Sequence, residues 1–367
     1  NSVANNTAIG VAALDGSVTG DHNTSVGKDS LSANTSGANN NAVGSGSLTV
    51  NSTGSQNNVV GVDALKSNST GNSQNAFGYE ALMSITTAGG ATAFGHKAGR
   101  ASQVNICAMG AESAFKTSTG VYNSAFGNYS LSENTTGANN TAIGYLSLYA
   151  NTTASENTSI GVESLQTNTT GQQNCALGYR ALEANTTADH NTALGHQTLK
   201  VNTTGTENTA VGAQALVSNT TTSNNTAVGY NALQANIAHA NTAVGHDSLR
   251  SNTTGAGNIG LGKNSLYTNT TGQYNIAVGY DALQQNNGSN NVAVGHDALK
   301  LNTGSNNTGV GFNALTANTT GAQNCAVGSY ALDANSTGTL NTAVGHNSLT
   351  ALTTGNYNTA VGRLALY

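Results

Sequence analysis

The sequence predicts an all-β fold, a parallel β-solenoid or β-roll of about 22 coils with a 17-residue repeat. Three observations predict it. First, a Gly closing an Ala-Val-Gly-like triplet recurs 22 times from Gly10 to Gly362; of the 21 intervals, seventeen are 17 residues, three are 16 and one is 15. Second, the residues before that Gly alternate in side-chain type as a strand does. Third, the rest of each unit is rich in Asn, Thr and Gly, which favour turns and disfavour helix.

With that Gly as position zero, each position has its own chemistry. Position −4 is nearly always Asn, as at Asn191, Asn208, Asn225 and Asn241. Position −3 is usually Thr, replaced by Ile259, Ile276 or Val292 in some units, and −2 is mostly Ala. Position −1 is Val, Ile, Leu, Phe or Met, and +4 is Leu in 20 of the 22 units. Positions +7 to +10 read Asn-Thr-Thr-Gly, as at 252–255. β-Branched residues at −3 and −1 suit a pleated, half-buried surface, so these positions are expected to face the core and the small residue at −2 to face outward. Leu at +4 is expected to return to the same core after a break at the Gly. Asn-Thr-Thr-Gly reads as a turn, since Asn bonds its own backbone and Gly accepts positive φ. Each coil is therefore expected to hold two short strands and two turns.

In a stack at about 4.8 Å spacing, each residue lies above its counterpart, and repeated Asn residues can pair amide to amide. Twenty-two coils would make a rod roughly 100 Å long. An outward Ala would let another backbone approach closely, so side-by-side association of chains is expected. The regular period and the lack of a linker predict one continuous domain, 1–367, with an irregular patch at 85–116. There Leu at +4 gives way to Gly99 and Ala114, Asn at −4 to Ala91 and Ile106, and the shortest interval occurs. A change of roll diameter or a bend is expected at that patch.

Composition narrows the function classes. Charged residues are 7% of 367, Pro and Trp are absent, and the net charge is −5. No basic stripe offers itself to nucleic acid. No apolar run reaches the roughly 20 residues of a membrane-spanning helix, so no membrane insertion is expected. The chain begins without an initiating Met or a signal segment, and reads as a mature form or an excerpt of a longer protein.

The nonapeptides "NTAVGYNAL" (225–233) and "NTAIGYLSL" (140–148) resemble the repeats in the heads of trimeric autotransporter adhesins, left-handed parallel β-rolls. The longer pattern "NTAVGYxALxxNTTG" is also similar to repeat arrays of phage tail fibres. The resemblance covers the whole chain. It implies left-handed winding, association as a homotrimer, and an extracellular place at a cell surface or in a virion tail fibre. The unit here is longer than the usual adhesin-head coil by its extra turn.

The candidates for chemistry are few. Cys107, Cys175 and Cys325 all occupy −3, where Cys matches the size of the usual occupants and reads as structural. Five of eight His stand at +1, among them His196, His246 and His296; Tyr179, Tyr230 and Tyr280 share that position. These rings read either as a packed edge ladder or as an aromatic strip for glycans, with Tyr179, His196, Tyr230, His246, Tyr280 and His296 as ligand-contact residues. Acids favour +2 and bases +5, as in Asp281, Asp297 and Lys300, and read as solvated coil tips. No coil supplies a metal-ligand set, and there is no phosphate loop, nucleophile elbow or HExxH. No catalytic residue, cofactor or metal is assigned. The Asn-x-Thr triplets match glycosylation acceptors, but turn chemistry alone would also produce them. The first expectation is an extracellular, non-enzymatic fibre or adhesin segment that attaches to cells or glycans. The alternatives are a surface filament without a specific ligand and an ice-binding solenoid. The last is disfavoured because the adjacent Thr pair lies in a turn rather than on alternate residues of a strand.

Overall fold

A computed structural model describes residues 5–367. They fall into two compact units of the same construction, Asn1–Ala188 and Asp189–Tyr367. The first holds eleven strands, from β1 (Thr7–Ile9) to β11 (Cys175–Leu177), and the second eleven more, from β12 (Thr192–Leu194) to β22 (Thr359–Val361). Among the described residues there is no helix. Within each unit successive strands pair in parallel and in register, position upon position, as Thr209 on Thr226 and Val211 on Val228. The architecture is therefore the expected parallel β-solenoid with its 17-residue period. Each coil carries one strand of three or four residues rather than two; everything after the Gly is turn.

The facing is the reverse of the expectation. Position −2 points inward: Ala227, Ala232, Leu233 and the side chains of Asn225 and Asn236 are fully buried around one coil. Positions −3 and −1 point outward, as Ile259 at 42% exposure and Leu261 at 46% show. The reason is volume. Leu at +4 already fills the middle of the coil, leaving little more than a methyl group of space at −2. At Gly260 an added Cβ would stand 2.6 Å from Ser248 Oγ and 3.4 Å from a Leu249 methyl carbon. The outward-Ala argument for close approach of a second chain therefore falls.

The turns use left-handed backbone that the residue types alone do not demand. In one coil Asn224, Asn231 and Leu233 have φ of 62°, 55° and 52°. Each costs about 1–2 kcal/mol for a non-Gly residue. Each aims an N–H at a neighbouring coil: Asn224 donates to Thr206 O at 3.2 Å, Asn231 to Ala213 O at 3.1 Å and Leu233 to Ser248 O at 3.0 Å. Gly229 (φ +136°) has a stricter reason for being Gly. A Cβ there would meet the carbonyl O of Gly245 at 2.4 Å.

Two buried Asn ladders run through the coils, amide to amide as expected. At +7, Asn252 Nδ2 donates to Asn236 Oδ1 and to Gly255 O, both at 2.8 Å, while its Oδ1 accepts from Asn269 Nδ2 at 2.9 Å. At −4, Asn241 donates through its backbone N–H to Asn225 Oδ1 at 3.0 Å, and its Nδ2 reaches the same Gly255 O at 2.9 Å. The Asn-Thr-Thr-Gly segment is thus a turn whose first and last residues belong to the core. These bonds satisfy polar groups that burial would otherwise penalise.

At the patch 85–116 the ladders stop. Buried Ile85, Ser102 and Thr117 stand in the +7 column, and Ala91 and Ile106 in the −4 column. The coil between Gly95 and Gly110 is two residues short, yet Thr92 still pairs with Cys107 and Phe94 with Met109. Gln74 bridges part of the break: its Nε2 reaches Ala88 O, and its Oε1 accepts from the Ala91 N–H at 2.9 Å.

Candidate functional site: the outward ribbon and its aromatic column

Because −1 faces outward, alternation continued through the Gly carries +1 outward as well. Each unit therefore displays three parallel columns: at −3, Thr, Asn, Ser or Cys in the first unit and Thr, Ile, Val or Cys in the second; Val, Ile, Leu, Phe or Met at −1; and many rings at +1. Leu177 (43%), Leu194 (41%) and Leu261 (46%) mark the middle column, and Tyr230 (50%) the third. The +1 side chains need no reversal at the Gly to reach solvent.

The expected contact residues fall as follows. Tyr230 and His246 lie with ring centroids 5.3 Å apart, tilted by 34°. Tyr280 stacks on His296 at 5.0 Å and 17°, and His296 on Phe312 at 5.4 Å and 28°. His196 is exposed at the start of the second unit. Tyr179, in the first unit, carries the Arg180 guanidinium 5.1 Å above its ring. A Tyr79–His96 stack in the first unit, at 5.4 Å, obeys the same rule. Stacked rings cover one another's faces along the column and turn their edges outward.

Sequence reasoning passed over Tyr330, because it counts as +2. Its ring nevertheless joins the run, edge-on, between Phe312 (5.3 Å, 70°) and His346 (6.3 Å, 79°). Side-chain reach across columns, not repeat position, decides this contact. Lys263 closes the other end of the run, its Nζ 5.8 Å from the Tyr280 centroid.

The +2 and +5 residues are not plain solvated tips. Lys300 Nζ sits 3.0 Å from Asp281, whose side chain is 6% exposed, and 3.1 Å from Asp297. Arg250 lies 3.7 Å from Asp247, itself 3.0 Å from His246 Nδ1. Arg100 pairs with Glu80. Burial pushes the Glu80 carboxyl up, but hydrogen bonds from Arg100 and Tyr79 outweigh it and leave it below its ordinary value. The acids and bases therefore form a half-buried wall beside the ribbon.

The three Cys are free and lie on the ribbon; Cys175 is exposed, and burial pushes the Cys107 thiol up. Among the described residues no three His, Cys, Asp or Glu side chains gather as a metal site, and no helix is long and apolar enough to cross a membrane. The Asn-x-Thr triplets that begin at +7 place their Asn in a buried ladder, as at Asn252, out of reach of a modifying enzyme in the folded chain, whereas those that begin one residue before the −4 Asn expose theirs, as at Asn139, Asn224 and Asn306. Thr209, Thr226 and Thr242 rank outward on the strands beside Val211, Val228 and Val244, the arrangement that the turn-based argument against ice binding had not expected. No family model matches this chain, and no curated protein matches it in sequence. Its surface chemistry thus comes down to apolar columns, ring edges and a paired charge wall on a repeating scaffold.

Proposed function

We propose that this chain is a non-enzymatic fibre segment of an extracellular attachment structure, at a cell surface or in a virion tail fibre. It associates side by side with copies of itself, as a left-handed homotrimer if the adhesin-head resemblance holds, and offers its remaining surface to cells or glycans. One observation carries the reading: a large apolar side chain at −1 stands outward in coil after coil, although the interior is already filled. Water-exposed apolar columns of that extent are uncommon on a lone soluble chain and mark a surface made for contact. A partner with the same axial repeat meets every rung, and a second copy has that repeat. The test is sedimentation of the wild type against Val228→Lys/Val244→Lys. The wild type should sediment as an oligomer and the variant as a smaller species with an unchanged circular dichroism spectrum. A monomeric wild type would remove the association.

A filament without a specific ligand is the second reading. The stacking of the +1 rings favours it, because a sugar packs on a ring face and these faces are covered. A glycan array with the wild type and a Tyr230→Ala/Tyr280→Ala variant separates the two. Binding lost in the variant supports glycan contact at the strip; no binding, or equal binding, supports the filament.

A further inference from the structure

Beside the ribbon acids meet bases: in the second unit Asp281 with Lys300 across coils and Asp247 with Arg250 within one, and in the first unit Glu80 with Arg100 across coils. The coil at Gly328 has no such pair. Its +5 residue is the acid Asp333 and its +2 residue is Tyr330; the acid at the same position in an earlier coil, Glu183, faces Arg180. Asp333 is half-buried, and burial raises its carboxyl above the ordinary value, opposed only by backbone N–H groups and by no cation. It lines an open groove of about 500 Å³ together with Tyr330, His346, Asn347, Thr350 and Tyr367.

Two further features give the groove its character. Tyr330 is the ring that leaves the stack, meeting Phe312 at 70° and His346 at 79° in T-shaped contacts, and it remains 36% exposed. Asn347 Oδ1, shielded from solvent, accepts no hydrogen bond, and its uncompensated dipole adds negative potential beneath the groove. A carboxylate without a counter-ion, an unused acceptor and the negative face of a phenol ring all favour positive charge. A neutral sugar would leave the carboxylate uncompensated; a bare metal ion would find one carboxylate and no ligand cluster.

We infer that the groove at Tyr330 and Asp333 binds an organic cation, an alkylammonium or guanidinium group, with the ring face against the cation and the carboxylate as its counter-ion. This does not rest on the fibre reading. The same chemistry can come from a free amine or from a Lys or Arg side chain of another protein.

The experiment is calorimetric titration of the whole chain with n-butylammonium, ethylguanidinium, a short oligolysine peptide and the neutral analogue n-butanol. The cations should bind and n-butanol should not. Asp333→Asn should weaken cation binding at least tenfold and Tyr330→Leu should weaken it too, both with the wild-type circular dichroism spectrum. Glu207→Gln, which removes an exposed acid elsewhere, should bind like the wild type. Oligolysine binding far tighter than n-butylammonium points to a protein side chain, and comparable binding to a free amine; both support the site. Failure of every cation to bind the wild type, undiminished binding by Asp333→Asn, or an equal loss in Glu207→Gln would overturn it.

Discussion

Replacing Asn252 by Asp puts a carboxylate into the middle of a buried ladder. The substitution keeps the shape and removes one group, the Nδ2 donor. That donor serves two oxygens, Asn236 Oδ1 and Gly255 O, both at 2.8 Å. Two lost hydrogen bonds cost about 1–3 kcal/mol together. A second oxygen then faces both acceptors with no cation near and no solvent access, since Asn252 is fully buried. Breaking a buried charge arrangement in this way costs roughly 3–5 kcal/mol at neutral pH. Burial and the facing oxygens raise the new carboxyl in the folded chain above its unfolded value of about 3.9. A raised acid loses folded-state stability as pH rises through its folded value and regains it below the unfolded one. Asn252→Asp should therefore be most destabilised at pH 7 and recover most of the loss near pH 4, where a protonated Asp still donates one bond. Thr254→Asp, exposed two residues away, should change stability by about 0.5 kcal/mol or less at either pH. The assay is urea unfolding by circular dichroism at both pH values, with hydrogen exchange to locate the weakened coils, because a repeat array need not unfold in one step. Equal losses for the two variants, or a loss at Asn252→Asp independent of pH, would refute the ladder reasoning.

Leu233→Asp should lower the melting temperature far more than Gln234→Asp, since Leu233 is fully buried and Gln234 is not; equal shifts would show that the facing is wrong. Gly229→Ala should be severely destabilising, by more than about 3 kcal/mol, because it combines φ of +136° with a Cβ 2.4 Å from a backbone oxygen. Gly255→Ala should be milder: a Cβ there would stand 2.2 Å from Gly272 O, but Gly255 has no positive φ, and Ala88, Ala154 and Ala188 occupy the same repeat position, so a small shift of the turn accommodates the methyl group; comparable thermal shifts for the two would count against this. Arg100→Ala should cost at most about 1 kcal/mol at neutral pH, given the partial exposure of the pair. Because Glu80 is held below its ordinary value in the fold, that contribution is present above the unfolded carboxyl value and is lost as pH falls through the folded one. A cost unchanged at low pH would contradict it.

Period, fold class and the Asn ladders were legible in the sequence for one physical reason. In a stack of coils the neighbour in space is the residue one repeat away, so sequence recurrence is itself a record of contact. The invariant Gly was legible as a place needing special backbone, although the close approach of the next Gly carbonyl had no sign. Tertiary structure alone decided the facing. The pattern Thr-Ala-Val alternates equally well with Ala or Val inside, and propensity favours the wrong choice because Val is the better buried residue in isolation. Only the volume already taken by Leu at +4 settles that Ala goes in and Val comes out, and the same fact creates the outward ribbon. The left-handed backbone at Leu233 was hidden for a similar cause: its strain is offset by hydrogen bonds to coils that no local window of sequence contains. Tyr330 shows the limit for the candidate site. Repeat position +2 kept it out of the aromatic strip expected at +1, while the reach of its side chain put it in the ring column near Asp333. The sequence by itself determined which residues stack; the filled interior decided which of them meet water.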